Sequence, residues 1–434
     1  MKKQILCMLF MVGLGSLIFA QNPILESYKL GEGLRFIGKS GYELKLTGYA
    51  QPYVDFKSYT DDNYEEGYTR FRLRRARFRI SGKSANSKID YRFQADLSGI
   101  SEVGDNNAGA PLLDAWIRYS ITKRIKIIFG QKATPTDNRE LPMGSQTLQL
   151  VERSRLTSAF SSIREFGFFA QGNFRTGGGT YLRPQIAVTN GDGLNAFDAD
   201  HGGLKIGGRI DFLPFGLFNN FGQFRQADVM RENTPKFVIG AHFSNNYGMS
   251  SRRGRAGGAI VYLNDSLRES LPNYMKFGID FLFKYKGFSA LGEFISSRAV
   301  VPSDITTRVR NDGSTSTTFL VDGVQDVENY VKGRMMLGSA YNLQMGYYFK
   351  SRISIDARYT HLKADEHSFL NNGTFYNRPN YYTLGVSKYF GRGYGFKIQG
   401  DVTYNEALDG SNDLYGAPMN GNEWVFRIIT TISF

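Results

Sequence analysis

Six arginines lie within ten residues of this sequence, with no acidic residue among them. The segment YTRFRLRRARFRISG contains Arg70, Arg72, Arg74, Arg75, Arg77 and Arg79. The planar guanidinium group binds carboxylate and phosphate through two parallel charged hydrogen bonds. Rings of Arg and Lys also select anions in pores. The chemistry that this segment suggests is therefore the recognition of anions.

A second basic segment, KATPTDNRELPMGSQTLQLVERSRLTSAFSSIRE, runs from Lys132 to Glu165. It is too long for a hairpin turn, and loops of this length usually carry function. Two interpretations remain open. Its cations and serine hydroxyls could form a constriction that replaces part of an anion's hydration shell. Alternatively, Glu140 and Glu152 could pair with the arginines and merely pin the loop. The charged residues are Lys132, Asp137, Arg139, Glu140, Glu152, Arg153, Arg155 and Arg164.

The arginines of the first segment change phase within what reads as one β-strand. Arg70, Arg72 and Arg74 share one face, whereas Arg75, Arg77 and Arg79 share the other if the strand is regular. A β-bulge at Arg74–Arg75 would bring all six onto one face. Without it, one set would face lipid at a cost of roughly 2–4 kcal/mol per arginine at the membrane midplane. We therefore predict a bulge and an arginine ladder inside a barrel. A strand whose upper arginines meet only lipid headgroups at the rim is the alternative.

The elements that must hold these arginines are strands with a period of two. In SKIDYRFQADLS, Ile89, Tyr91 and Phe93 alternate with polar side chains, and LLDAWIRYSIT behaves in the same way. One apolar and one polar face is what a transmembrane β-barrel with a polar interior requires. The fold class predicted is all-β, a transmembrane antiparallel β-barrel of about 16 strands, with 18 possible and with an inward-folded third extracellular loop. The strand-like runs are 43–57, 68–81, 87–98, 112–122, 124–131, 164–175, 180–190, 203–213, 236–247, 273–285, 287–298, 334–349, 351–363, 378–390, 394–405 and 422–434.

The connections between these runs alternate between short and long. Short turns are typical of the periplasmic side of such barrels and long loops of the outside. The connection Pro214–Pro235 breaks this rule, because it should be short by its position yet has mixed charge and considerable length. Either a strand pair is hidden there, or the turn contains a folded element of its own.

The amino-acid composition excludes several other classes of protein. The chain has 434 residues, a formal net charge of +13, one Cys and 14% aromatic residues. Its hydrophobic content of 41% is too high for a disordered chain, and one Cys cannot build a disulfide scaffold. No segment after residue 20 has about 20 consecutive apolar residues, so no helical membrane span is predicted.

The first twenty residues have the pattern of a secretory signal peptide. Lys2 and Lys3 precede an apolar stretch that ends in Ile18-Phe19-Ala20, a plausible cleavage site. We expect cleavage near Ala20, a short N-terminal periplasmic segment over residues 21–42 and the transmembrane β-barrel over residues 43–434. The final strand NEWVFRIITTISF alternates Trp424, Phe426 and Ile428 with polar or smaller residues and ends in Phe434. A terminal strand of this kind resembles the assembly signal of bacterial outer-membrane barrels.

Several of these segments together resemble a known family. FRLRRARFRISGK, DYRFQADLS, LLDAWIRY, IIFGQKATP, NRE and VERSRLTSAF occur in the order seen in the phosphate-selective porin O and P family. The match is specific from about Thr47 to Asn190 and looser from there to Phe434. The resemblance implies a sixteen-stranded outer-membrane barrel, usually trimeric, that passes phosphate or polyphosphate. It also implies that Arg72, Arg74, Arg75 and Arg77 lie in an RxRRAR segment, and that Arg139, Arg153 and Arg155 lie in the inward loop.

The function predicted is a passive outer-membrane channel that prefers anions, with phosphate or polyphosphate as its solute. A general porin with mild anion preference is the main alternative, and a barrel enzyme or surface adhesin is a further one. We expect the partners to be small anionic solutes, outer-membrane lipid and lipopolysaccharide, and two further copies in a homotrimer. We expect no nucleic acid, cofactor or metal. The candidate anion-binding or pore-lining residues are Arg70, Arg72, Arg74, Arg75, Arg77, Arg79, Arg92, Arg118, Lys132, Arg139, Arg153, Arg155 and Arg164.

Overall fold

The computed structural model describes most of the chain. The described residues are 24–29, 31–60, 67–98, 112–194, 201–255, 258–310, 312–371, 378–391, 393–406 and 422–434. The expected signal peptide and its cleavage site lie outside these residues, so both stay predictions. Among the described residues, no helix has the length and apolar character needed to cross a membrane.

Sixteen antiparallel strands form a closed barrel, because the last strand pairs with the first. The predicted count of sixteen is confirmed, and each predicted run overlaps one observed strand. The strands are β1 (Glu43–Tyr59), β2 (Tyr68–Lys83), β3 (Ile89–Asp96), β4 (Leu112–Ser120), β5 (Ile125–Ala133), β6 (Arg164–Gly172), β7 (Thr180–Thr189), β8 (Lys205–Leu213), β9 (Lys236–Asn246), β10 (Asn273–Tyr285), β11 (Phe288–Val300), β12 (Gly338–Tyr348), β13 (Ile353–Ala364), β14 (Asn380–Tyr389), β15 (Phe396–Glu406) and β16 (Glu423–Ser433).

The period-two pattern places apolar side chains outside the barrel and polar ones inside. In β3, Ile89 and Phe93 are exposed on the outer wall, whereas Asp90 and Gln94 are buried in the interior. A long aromatic and aliphatic outer surface would be unfavourable in water, but it is compatible with lipid. The interior is therefore where the charged residues of the strands meet.

The predicted bulge is present in β2. Gln51 of β1 pairs with Arg75, and the next residue, Pro52, pairs with Leu73, so Arg74 has no partner in the ladder. One extra residue on β2 shifts the phase of the strand. Proline at position 52 suits this place because it donates no backbone hydrogen bond.

Residues before β1 extend the sheet at the end where the turns are short. The strand Gly33–Ile37 pairs with the start of β1, and Ile24–Lys29 pairs in turn with Gly33–Ile37. The side of the membrane on which this predicted N-terminal segment lies stays a prediction.

At the opposite end, long loops fold into a small cap. The strands Tyr262–Leu263, Thr307–Val309 and Thr315–Ser316 form a three-stranded sheet, and Leu320–Val321 pairs with Val324–Gln325. A helix, α2 (Val327–Lys332), follows and is capped by Asp326, whose side chain accepts from the amide of Asn329. The first helix, α1 (Arg155–Phe160), lies inside the barrel instead. Met249, Tyr262, Phe319 and Val331 are among the residues of the apolar core of the cap.

The irregular connection between β8 and β9 contains its own folded element. Residues 219–224 form two short helical turns, and no strand pair is present among residues 214–235, all of which are described. Of the two possibilities raised by the sequence, the hidden strand pair is wrong and the folded turn is right.

Candidate functional site

All six arginines of β2 lie on the interior face of the barrel. Five of them pair with alternate residues of β1, all on one face of that strand. The pairs are Arg79 with Thr47, Arg77 with Tyr49, Arg75 with Gln51, Arg72 with Tyr53 and Arg70 with Asp55. The β1 residues Tyr49, Gln51, Tyr53 and Asp55 are buried inside the barrel. Arg74, at the bulge, reaches the same interior and contacts a loop residue there. The bulge thus brings both sets of arginines to the interior face. Phe71, Leu73 and Phe78 remain on the outer face.

Each of these arginines has a polar partner in the interior. Asp55 accepts from Arg70 at 3.0 Å and from Arg72 at 3.1 Å. At the bulge, Glu152 accepts from Arg74 Nε at 2.5 Å and from Arg75 Nη2 at 2.8 Å. The remaining two contacts are Arg77 Nε with Asp96 at 2.8 Å and Arg79 Nε with Gln94 at 2.7 Å. A carboxylate that serves two arginines leaves one positive charge uncompensated.

Two further arginines continue this basic surface toward the short-turn end. The guanidinium groups of Arg92 in β3 and Arg118 in β4 lie 5.1 and 5.4 Å from the ring of Trp116. Arg118 also pairs with Asp90 at 2.8 Å, and Arg92 lies 3.6 Å from Asp114. We call the surface formed by these residues the arginine wall. It comprises Arg70, Arg72, Arg74, Arg75, Arg77, Arg79, Arg92 and Arg118.

The loop between β5 and β6, residues 134–163, folds into the barrel as the sequence predicts. We call it the inward loop. Most of its apolar residues, including Leu148, Leu156 and Phe160, are almost fully buried. Helix α1 packs between the inner faces of β11, β12 and β13, against Ile295 and Ala340 among others. A loop packed in this way crosses the interior and narrows it.

The inward loop is held by charges of opposite sign at its two sides. Arg139 binds Asp211 of β8 at 2.6 Å and Asp280 of β10 at 2.8 Å. On the other side, Glu152 meets the arginine wall. Arg139 of the loop therefore faces two aspartates of the barrel, and Glu152 of the loop faces the arginine wall. The loop narrows the barrel, and its Glu152 pairs with arginines of β2 rather than with arginines of the loop. The selection of anions at this narrowing stays a prediction.

The remaining predicted residues of this region do not form a single cluster. Arg153 donates to the backbone oxygens of Glu140 and Met143, and these hydrogen bonds within the loop stabilise its conformation. Arg155, at the start of α1, contacts the hydroxyl of Ser158. Arg164 binds Asp114 at 2.9 Å, beside the arginine wall. The Lys132 ammonium donates to the Ala133 carbonyl oxygen and lies 4.5 Å from the ring centre of Phe169.

Two carboxylates of the inward loop are strongly biased to the ionised form. Burial by itself would raise the pKa of Glu152, but the charges of Arg74 and Arg75 outweigh it and lower this pKa well below its usual range. For Asp137, burial is likewise outweighed, here by Lys276 and Lys205, and its pKa falls to about 2. Asp137 also accepts from the Ile163 amide, so it ties the start of the loop to its end.

Comparisons with known proteins agree with this geometry. The family model described as phosphate-selective porin O and P matches residues 47–198, which contain the arginine wall and the inward loop. No curated protein sequence matches the chain. Residues 47–198 thus resemble a porin family.

Solved structures of outer-membrane channels resemble the chain in fold at low sequence identity. An anion-selective porin from Comamonas acidovorans has a TM-score of 0.51 and 10% identity, over 91% of this chain and 100% of that one. The outer-membrane channel DcaP of Acinetobacter baumannii has a TM-score of 0.51 and 11% identity, over 92% of this chain and 99% of that one. Both likenesses concern the barrel architecture.

The interior of the barrel contains charged residues that the sequence analysis did not single out. Arg209 of β8 joins Arg139 between Asp211 and Asp280. Arg358 of β13 donates to the backbone oxygen of Glu152, and Arg427 of β16 lies 3.3 Å from Asp401. The period-two pattern could have found all three, because each alternates with outward apolar residues in its strand. Their paired acids could not have been assigned without the tertiary structure.

The histidines of the chain are dispersed. His201 contacts Glu269 in the long loops, and His361 contacts Asn380 on neighbouring strands. Within the described ranges, no group of three or more His, Cys, Asp or Glu residues is arranged to hold a metal ion.

Proposed function

We propose that this porin is a passive diffusion channel that prefers small anions, with phosphate and polyphosphate as its physiological solutes. The observation that carries the proposal is the arginine wall. Seven of its eight arginines pair with carboxylates among the described residues, so its cations outnumber the carboxylates that they contact. These carboxylates are Asp55, Asp90, Asp96, Asp114 and Glu152. A positive surface in a narrow, low-dielectric passage concentrates anions.

The mechanism needs no energy input. An anion that enters the barrel exchanges its hydration shell for hydrogen bonds to the accessible guanidinium groups, which already pair with carboxylates. The accessible arginines are Arg70, Arg72, Arg92 and Arg118. Arg74, Arg75 and Arg77 are buried and contribute through their charge. Because the paired carboxylates compete with the solute, binding stays weak enough for the anion to leave. The inward loop holds the anion against the arginine wall by filling the opposite side. The family resemblance and the anion selectivity stated for the Comamonas acidovorans porin support the same solute class.

A second candidate is a general porin with mild anion preference. The pairing of the arginines with carboxylates favours it, because the carboxylates reduce the positive electrostatic potential of the arginine wall. The two candidates differ in whether phosphate occupies the passage long enough to reduce the current of other ions.

The test is the reversal potential of the purified porin in a planar bilayer under a KCl gradient, repeated with added phosphate. An anion-selective potential together with a current that phosphate reduces is the expected result. The triple variant Arg74→Ala, Arg75→Ala and Arg77→Ala should lower the anion preference while the barrel stays folded. Arg268→Ala, in an exposed loop, serves as the control. A weakly selective current that phosphate leaves unchanged would favour the general porin.

A homotrimer and contacts with lipopolysaccharide complete the proposal. Most soluble oligomers are homo-oligomers with closed symmetry, and a trimer of this barrel would have the same kind of symmetry. The exposed outer wall, with residues such as Phe56, Phe426 and Ile428, offers apolar area for either lipid or neighbouring copies.

A further inference from the structure

The connection between β8 and β9, residues 214–235, lies at the end of the barrel where the other turns are short. We call it the inserted turn. Neighbouring strands at this end are joined by a few residues, such as Lys286 and Gly287 between β10 and β11. The centre of the inserted turn is buried, although a turn of this kind would ordinarily lie in solvent. Gln226, Ala227, Asp228 and Glu232 are each at most 2% exposed.

The inserted turn is bound to the barrel wall by charged and aromatic groups. Lys284 of β10 donates to the carbonyl oxygens of Gly222 at 2.9 Å and Ala227 at 3.0 Å. The hydroxyl of Tyr394 also donates to the Ala227 oxygen. Asp228 accepts from the Gly287 amide at 2.7 Å. These contacts fix the turn inside the barrel end.

The inserted turn is also bound to the inward loop. The Gln226 side chain donates to Glu140 at 2.9 Å and accepts from the Gln149 amide at 2.8 Å. Gln344 of β12 donates to the same Gln226 oxygen at 3.0 Å. One glutamine therefore links the inserted turn, the inward loop and the barrel wall, and the two inward elements form one continuous body.

This body fills the barrel unevenly. On the side of β10 to β15, the interior side chains of Gln344 and Lys397 are 0% exposed. On the arginine wall, the side chains of Arg92 and Arg118 are 35% and 26% exposed. The space open to a solute at the short-turn end therefore lies along the arginine wall. Phe224 of the inserted turn contacts Arg183 of β7, with the guanidinium carbon 5.2 Å from its ring centre.

We propose that the inserted turn is a second selectivity element of the channel. It acts at the short-turn end by blocking the side of the barrel away from the arginine wall. Solutes must then pass along Arg92 and Arg118 after they pass the inward loop. The inference rests on the proposed function for the sign of the selectivity, but its effect on pore size is independent of that function.

The test replaces residues 217–232 with a short glycine linker and measures single-channel conductance and reversal potential. Because the cross-section open to solute grows, we expect conductance to rise about two-fold and the anion preference to fall. Phe221→Ser, at a residue of the same turn that is 72% exposed, is the matched control and should behave like the wild type. Folding of each variant is verified by circular dichroism and by heat-modifiable migration on gels.

A second variant covers the case in which the deletion does not fold. Gln226→Ala with Lys284→Met keeps the full turn but removes its anchors, so currents should fluctuate between the wild-type level and a larger one. Either a folded deletion variant or a folded double variant with wild-type conductance overturns the inference. A wild-type channel without anion preference would instead refute the proposed function, and the conductance test would remain valid.

Discussion

Glu152 sets how much of the arginine charge a solute meets. It accepts from both Arg74 and Arg75 in the centre of the arginine wall. Removing one partner of a buried ion pair leaves the other charge without compensation. In a channel, that uncompensated charge adds to the field in the passage, so a carboxylate here tunes selectivity as well as loop position.

We predict that Glu152→Gln makes the porin more selective for anions. Glutamine keeps a hydrogen-bond acceptor beside Arg74 and Arg75 but removes one negative charge from the arginine wall. The reversal potential under a KCl gradient should shift toward the equilibrium potential of chloride. Phosphate should reduce the current at a lower concentration than in the wild type. Glu328→Gln, in the exposed pair with Lys332, is the control. An unchanged potential would mean that these arginines do not shape the field in the passage.

The pH dependence of this effect follows from the lowered pKa of Glu152. A carboxyl whose pKa is depressed in the folded protein stabilises it above the unfolded pKa of 4.5, and this contribution disappears as the pH falls through the lowered value. Glu152 therefore stays ionised in the folded protein below pH 4.5. The difference in anion selectivity between the wild type and Glu152→Gln should persist from neutral pH down to pH 4.5. A difference that vanishes between pH 7 and 5 would contradict the assignment.

At the scale of elements, the bulge in β2 and the inward loop depend on each other. The extra residue brings Arg74 and Arg75 side by side on the interior face, and that pair holds Glu152. The far side of the loop is held by Arg139 against Asp211 and Asp280. Loops with charged anchors at both ends keep a fixed position, which a constriction requires.

We predict that Arg139→Met loosens the inward loop without unfolding the barrel. Breaking a buried ion pair costs about 3–5 kcal/mol. Arg209 still pairs with both aspartates and compensates one of their two charges, so the loss should lie toward the lower end. Single-channel recordings should show larger and noisier currents. Lys332→Met, which breaks an exposed pair worth about 1 kcal/mol or less, should leave the recordings unchanged. If the variant has the conductance and the current noise of the wild type, the inward loop is held in position by packing alone.

At the scale of the whole molecule, the barrel has a charged interior with two distinct sides and an apolar outer wall. The outer wall does not distinguish contacts with lipid from contacts with another copy, because both are apolar. A groove of about 520 Å³ on this wall is lined by Phe56, Leu384, Val386, Phe426 and Ile428 among others. Either an acyl chain or a side chain of a neighbouring copy would fill such a groove.

We predict that the porin purified in mild detergent is a homotrimer. Light scattering with correction for detergent should give a protein mass close to three chains, and heating should convert this species to one chain on gels. The control is a sample heated before the same measurement. A mass of one chain under mild conditions would contradict the trimer and would favour an acyl chain as the occupant of the groove.

The sequence by itself determined the barrel and the side of each strand that faces the interior. Alternation at period two needs no tertiary information, since a strand places successive side chains on opposite faces. The phase change at Arg74–Arg75 predicted a bulge for the same reason, and the strand-like runs predicted sixteen strands. The length of residues 132–165 predicted a functional loop, and the resemblance to a porin family implied that it folds inward.

Only the tertiary structure decided which charges meet. Asp55, Asp96 and Glu152 are 15 to 78 residues away in sequence from the arginines they contact. Their pairing depends on strand register and on how the inward loop crosses the barrel, and neither has a local sequence signal. The same holds for Gln226, an ordinary polar residue of a turn. It acquires its role because the chain folds back into the barrel, where a buried amide must satisfy its hydrogen bonds.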